Sequence, residues 1–166
     1  MPIKKFINNL ESLSGRERTI LRHNAESSIV PTGGDALTIF YKVLPYKIAP
    51  DEEELWFVAA MIRFYSRCSI PGIHEANNND FGWTLRKIRN GDSFDQRVRA
   101  LLDCRYQKGD RVLADRLRHM VKLAEIKQVG INWPVFTMDL LHWEDPERST
   151  QKKWARSYYG GQTGVF

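Results

Sequence analysis

The sequence predicts an all-α fold, a compact single-domain bundle of about eight helices. Three observations predict it. Apolar residues recur at three- and four-residue spacing in one segment after another. Helix start and stop signals punctuate the chain between those segments. No stretch alternates apolar and polar residues between turns, as a half-buried strand would. The clearest segment is Gly109 to Gln128. At helical pitch Leu113, Leu117, Met120, Val121 and Ala124 fall on one side, and Arg111, Asp115, Arg118, Lys122 and Glu125 on the other.

In chain order, Lys4 to Leu13 carries Phe6, Ile7, Leu10 and Leu13 at helical spacing. Ser14 with Glu17 three residues on is a capping box that opens a helix to about Ala25, with Arg16, Arg18 and Arg22 on its polar side. Ser27 to Asp35, with Pro31, Gly33 and Gly34, is a loop. Ala36 to Leu44 presents Leu37, Phe40, Tyr41 and Leu44 and stops at Pro45. Pro50 to Glu54 is an acidic helix start with Asp51 as the expected cap. Leu55 to Cys68 is so apolar that it should be buried. Ser69 to Asp80 is the longest loop signal.

Phe81 to Arg89 turns Phe81, Leu85 and Ile88 inward and Arg86, Lys87 and Arg89 outward, and Asn90-Gly91 ends it. Asp92 or Ser93 should cap the next helix, Phe94 to Tyr106, whose inner face is Phe94, Val98, Leu101 and Leu102. After Lys108-Gly109 comes the amphipathic segment above, ended by Gly130. Asn132-Trp133-Pro134 starts another helix with proline in its first turn and Phe136, Leu140 and Leu141 facing the core. Pro146 begins the last, through Gln151, Trp154, Ala155 and Tyr158. Residues 1–160 thus form one domain, with N-terminal helices in 1–70 and C-terminal helices in 80–160. Residues 161–166 are a frayed tail.

At 166 residues and 42% hydrophobic, the chain can bury a core of its own. It holds no apolar run of membrane-spanning length and no signal-peptide core, so a cytoplasmic protein without a membrane is expected. Cys68 and Cys104 lack metal or redox spacing and are expected to be buried free thiols. The net charge of +5 is unevenly spread. Residues 1–80 carry 9 Lys and Arg against 10 Asp and Glu, residues 81–128 carry 12 against 6, and residues 129–166 carry 4 against 4. One central block therefore holds the excess, as a polyanion-binding face requires.

Catalysis finds little support. There is no phosphate loop, no zinc motif and no nucleophile elbow, and His23, His74, His119 and His142 are scattered. No cofactor is expected. A metal-dependent nuclease needs converging carboxylates, and the nearest set, Asp139, Glu144 and Asp145, reads better as helix surface and turn. Binding rests on four basic groups: Arg86, Lys87 and Arg89; Arg97 and Arg99; Arg111, Arg118 and Lys122; Arg148, Lys152, Lys153 and Arg156. Several cations on one face would release counterions together from a nucleic acid. Against that, Asp115 can pair with both Arg111 and Arg118 along one helix. Trp133 and Trp154 sit among apolar residues at helical spacing and belong to the core.

The second half of the chain carries ordered motifs. They are Gly82-Trp83-Thr84-Leu85-Arg86, Arg97-Val98-Arg99-Ala100-Leu101-Leu102, and Leu113 with Leu117-Arg118-His119-Met120-Val121-Lys122-Leu123. Ile131-Asn132-Trp133-Pro134, Asp139-Leu140-Leu141-His142-Trp143 and Lys153-Trp154-Ala155-Arg156-Ser157-Tyr158-Tyr159 follow. Together they resemble the CasB family, the small subunit of the type I-E CRISPR surveillance complex Cascade. The resemblance covers about residues 80–160, and its closing aromatic motif is the most specific part. Residues 1–80 match in layout only.

The resemblance implies an all-helical, non-enzymatic subunit, present as two copies, that contacts the large subunit CasA and the backbone subunit CasC. Its basic surface would hold target DNA, above all the displaced strand of the R-loop, near the guide RNA. Arg22, Arg97 and Arg118 match basic positions of the family, and Arg148, Lys152 and Lys153 fall in its basic turn and last helix. His119 stands where members can carry a second arginine. The loop from Glu75 to Asp80 is acidic and Asn-rich where some members have lysines. A pure scaffold that never touches DNA is the alternative.

Overall fold

Ser14 begins its helix with the reciprocal bonds its spacing predicts: its hydroxyl accepts from the Glu17 amide at 3.1 Å, and its own amide donates to the Glu17 carboxylate at 3.1 Å. Asn132 caps another helix by accepting from the Val135 amide, with Pro134 in the first turn. Such local signals set out nine α-helices in the computed structural model, which describes residues 2–28, 30–45, 47–65 and 79–160. They are α1 Pro2–Glu11, α2 Gly15–Ser27, α3 Gly34–Val43, α4 Glu53–Tyr65, α5 Phe81–Lys87, α6 Gly91–Asp103, α7 Val112–Ile126, α8 Trp133–Leu141 and α9 Ser149–Tyr159. There is no strand among the described residues. The all-α expectation holds, and no described helix is long and apolar enough to cross a membrane.

α4 is the hub. Every side chain from Leu55 to Ile62 is buried, and the helix packs against α2, α7 and α8. A helix apolar on all sides is stable only with neighbours all round. The amphipathic α7 lays Leu113, Leu117, Met120, Val121 and Ala124 against this hub as expected. α5 and α9 form the most extensive helix pair. They meet at Gly82, where a Cβ would lie 2.3 Å from the Trp154 carbonyl oxygen. Around that contact, Phe81 packs 5.1 Å from both Phe136 and Trp154, and Trp143 packs 5.3 Å from Trp154. Buried side chains from Phe6 to Tyr158 join in one connected cluster.

Several local expectations differ from the structure. α3 buries Ala36, Ile39, Phe40 and Val43, and leaves Leu37 and Tyr41 exposed. The apolar arc of this helix is wide, opposite Asp35, Thr38 and Lys42, so two adjacent apolar stripes compete for burial. The edge-on contact of Phe40 with Phe57, at 5.1 Å, accompanies the face that is buried. Asp51 makes no cap, because Pro50–Glu52 is a 3-10 turn entered from Ala49 that runs directly into α4. Neither Asp92 nor Ser93 caps α6. That helix starts at Gly91, whose φ of 81° turns the chain in after Asn90. α9 starts at Ser149 rather than Pro146, from Arg148 in a left-handed conformation at φ 53°. Asp139 is no surface residue: it is 5% exposed and bonded to Lys153 and Trp154. Cys104 is a buried free thiol whose burial pushes its pKa up. Cys68, the end of the fourth predicted helix, most of the 69–80 loop and the 161–166 tail lie outside the described residues.

Candidate nucleic-acid interface

The final carbonyls of a helix have no donor within the helix, and its C-terminus carries partial negative charge. Arginines of this chain answer both needs. Arg22 donates to the Phe64 carbonyl at the end of α4, at 3.2 Å. Arg111 donates to Ala25 in the last turn of α2 at 3.0 Å, and also pairs with Asp115 at 3.5 Å, one of the two pairings expected on that helix. Arg148 donates to Leu102 in the last turn of α6. Lys153 is drawn inward to the buried Asp139 carboxylate at 2.5 Å, which Trp154 Nε1 also donates to at 2.9 Å. Burial dominates at Asp139 and raises its pKa despite both bonds.

Arg89 forms a two-pronged pair with Asp95, with both N–O distances 2.8 Å, and the Tyr158 hydroxyl donates to the same carboxylate. The Arg89 guanidinium first, and the Tyr158 hydroxyl next, hold the Asp95 carboxyl down at about 2. Lys87 lies over the Trp83 ring, 5.4 Å from its centre. Arg86 and Arg118 are half-buried.

The remaining cations face outward. Arg99, Lys122 and Lys152 are exposed, and their side chains make no hydrogen bond or ion pair among the described residues. Arg97 reaches from α6 to α7, its Nη1 3.1 Å from His119 Nε2. A guanidinium only donates, so in this contact the His119 ring nitrogen is the acceptor. Arg116 on α7 and Lys127 just past its end are exposed as well, and sequence reasoning passed over both. The signal for them was present: both fall in the basic block 81–128, and Arg116, His119 and Lys127, separated by three and by eight residues, fall toward one side at helical pitch.

Between α6 and α7 the surface opens into a cleft of about 200 Å³. Ile88, Phe94 and Leu123 are its apolar lining, and Asn90, Ser93, Arg97 and Lys127 its polar lining. The structure leaves Arg97 and Arg99 exposed on α6, Arg116 and Lys122 exposed on α7, and Lys127 exposed at the end of α7, with Arg97 and Lys127 lining the cleft. It ties Arg22, Arg111, Arg148, Lys153 and Arg89 into interactions of the fold. Asp139, Glu144 and Asp145 likewise have partners of their own: Glu144 accepts from the Tyr106 amide, and Asp145 from Ser149 and the Glu147 amide. Among the described residues no group of three or more acidic, histidine or cysteine side chains is placed to hold a metal.

A family model described as CRISPR-associated protein Cse2 matches residues 17–159 of the chain. A CRISPR-associated protein Cse2 of Thermus thermophilus is 39% identical over 74 residues, a match spanning 45% of this chain and 40% of that relative. The crystal structure of CasB from Thermus thermophilus superposes with a TM-score of 0.75 at 26% identity, covering 96% of this chain and 98% of that one. The crystal structure of M. ruber CasB gives 0.78 at 20% identity, covering 99% and 96%, a likeness of fold.

Proposed function

The chain belongs to the CRISPR-associated Cse2 (CasB) family, and on that premise we propose that it is a non-catalytic small subunit of a type I-E Cascade complex in the cytoplasm, whose basic surface binds nucleic acid and stabilises the R-loop. Its partners in this reading are the large subunit CasA, the backbone subunit CasC, a second copy of itself, target DNA and guide RNA. One observation carries the reading: Arg97 and Arg99 on α6, Arg116 and Lys122 on α7, and Lys127 at the end of α7 are all exposed, while other arginines are engaged in the fold. R-loop formation exchanges one duplex for another at nearly balanced free energy, so backbone contacts by protein can tip it. Cations that touch phosphates hold a displaced strand without reading its sequence.

The test is an assembled Cascade carrying Arg97→Ala, Arg99→Ala and Lys122→Ala together, followed on target DNA. A shortened R-loop lifetime and weaker salt dependence are expected, with normal assembly. An unchanged lifetime would overturn the assigned face. The pure scaffold has one observation in its favour: Arg22, Arg111, Arg148 and Lys153 all serve the fold. Crosslinking on a target separates the two readings, since a scaffold gives no adduct with displaced-strand DNA.

A further inference from the structure

We propose that the cleft between α6 and α7 is a nucleobase subsite: it takes one unstacked base of a single strand, with flanking phosphates on Arg97 and Lys127. The inference rests on the nucleic-acid reading above and adds something it does not require. Phosphate binding needs only exposed cations, and a flat basic surface would serve. Here the surface is indented by about 200 Å³, with an apolar lining of Ile88, Phe94 and Leu123. Ile88 and Phe94 are almost wholly covered, at 1% and 4% exposure, so they anchor the recess in the core, and the half-buried Leu123 with the stems of the rim side chains presents most of the apolar surface a base would meet.

The rim has the other half of the chemistry. Arg97 comes from α6 and Lys127 from the end of α7, so two cations from different elements border one apolar recess. The contact with His119 holds the Arg97 guanidinium over this edge of α7. Asn90 makes no cap bond for α6, and neither its side chain nor that of Ser93 is hydrogen-bonded among the described residues. An amide and a hydroxyl offer both donors and acceptors to a base edge. Two anionic groups flanking a flat, largely apolar ring with polar edges is the chemistry of a nucleotide within a strand. A base reaches such a recess only when unstacked, which selects single strands over duplex. The opposing charge nearby is Asp92, exposed at the first turn of α6. Asp95 is already engaged by Arg89 and Tyr158.

The test compares the full chain's binding of a short oligothymidylate and of an abasic oligonucleotide of equal length, by fluorescence anisotropy at low salt. The oligothymidylate should bind roughly tenfold tighter, the scale of one stacked base. Ser93→Phe fills the cleft from an exposed helix position while leaving both cations in place. It should lower oligothymidylate affinity to the abasic level and leave abasic binding unchanged. Asn90→Ala, which removes only the amide, should give a smaller loss confined to the same probe. Equal affinity of the wild-type chain for the two probes, or an unaltered oligothymidylate affinity in Ser93→Phe, overturns the subsite while leaving phosphate binding standing. No salt-dependent binding of either probe overturns both.

Discussion

Arg111, at the start of α7, donates its guanidinium to the main-chain carbonyl of Ala25 in the last turn of α2, at 3.0 Å. The contact links residues 86 positions apart and fills one of the unpaired acceptors at a helix end. Arg18 does the same for α1 through the carbonyls of Glu11 and Leu13, Arg22 for α4 through Phe64, and Arg148 for α6 through Leu102. Much of the positive charge of this chain is therefore structural. The cations on the outer side of α6 and α7 form a separate population.

These two populations should separate in experiment. Arg111→Ala should lower stability by about 1–2 kcal/mol, the range for a charge-assisted hydrogen bond that is partly exposed. It should leave single-strand affinity close to wild type. Arg99→Ala with Lys122→Ala should change stability by no more than about 0.5 kcal/mol. The salt dependence of binding should fall by about 0.7 in logarithmic slope for each phosphate that the double variant no longer neutralises. Urea unfolding and salt-titrated anisotropy on the same preparations check both halves.

Arg63 is 3% exposed, bonded to Glu11 at 2.7 Å, and lies over the Trp133 ring at 5.2 Å. Its partner Glu11 is more open, with a side chain 31% exposed. Removing either member therefore has unequal consequences. Glu11→Ala strands a buried cation and should cost about 3–5 kcal/mol, the usual loss for breaking a buried pair from one side. Arg63→Met keeps the bulk and leaves a carboxylate that water can reach, so it should cost less. Equal losses in denaturant titrations would refute this account of the pair.

Gly82→Ala should destabilise the chain by at least about 2 kcal/mol, because the new Cβ meets Trp154 backbone atoms at 2.3–2.9 Å and backbone cannot swing aside as a side chain can. The packing of α5 on α9 should loosen first, giving altered near-ultraviolet circular dichroism from Trp154 and its ring neighbours. Gly15→Ala is the control: a Cβ there meets nothing within 4 Å.

Arg89 and then Tyr158 hold the Asp95 carboxyl at about 2, below the roughly 3.9 of an unfolded aspartate. A carboxyl depressed by folding contributes stability that is complete above its unfolded value and is lost as pH falls toward its folded value. Between about pH 4 and pH 2 the wild-type chain should therefore lose more stability than Asp95→Asn. Asp139 works in the opposite sense, because burial raises its pKa and disfavours its charged form on folding. The difference between wild type and Asp95→Asn, measured by urea unfolding at each pH, isolates the Asp95 contribution.

Helix identity and most buried faces were legible along the chain. Leu113 to Ala124 on α7, Phe81 to Ile88 at α5, and the Ser14 and Asn132 caps all stand where local patterning puts them. These features depend on helical period and on bonds spanning three residues, which neighbours in sequence decide. The inner face of α3 was not legible, since two adjacent apolar stripes share one wide arc and contacts such as Phe40 on Phe57 come from another helix. The same holds for the basic residues. Arg111 and Lys122 sit about three turns apart on the polar side of a single amphipathic pattern. One binds a carbonyl 86 residues away and the other faces solvent. Composition counts charge, but a cation's availability depends on which helix end lies beside it, and only packing brings that end there.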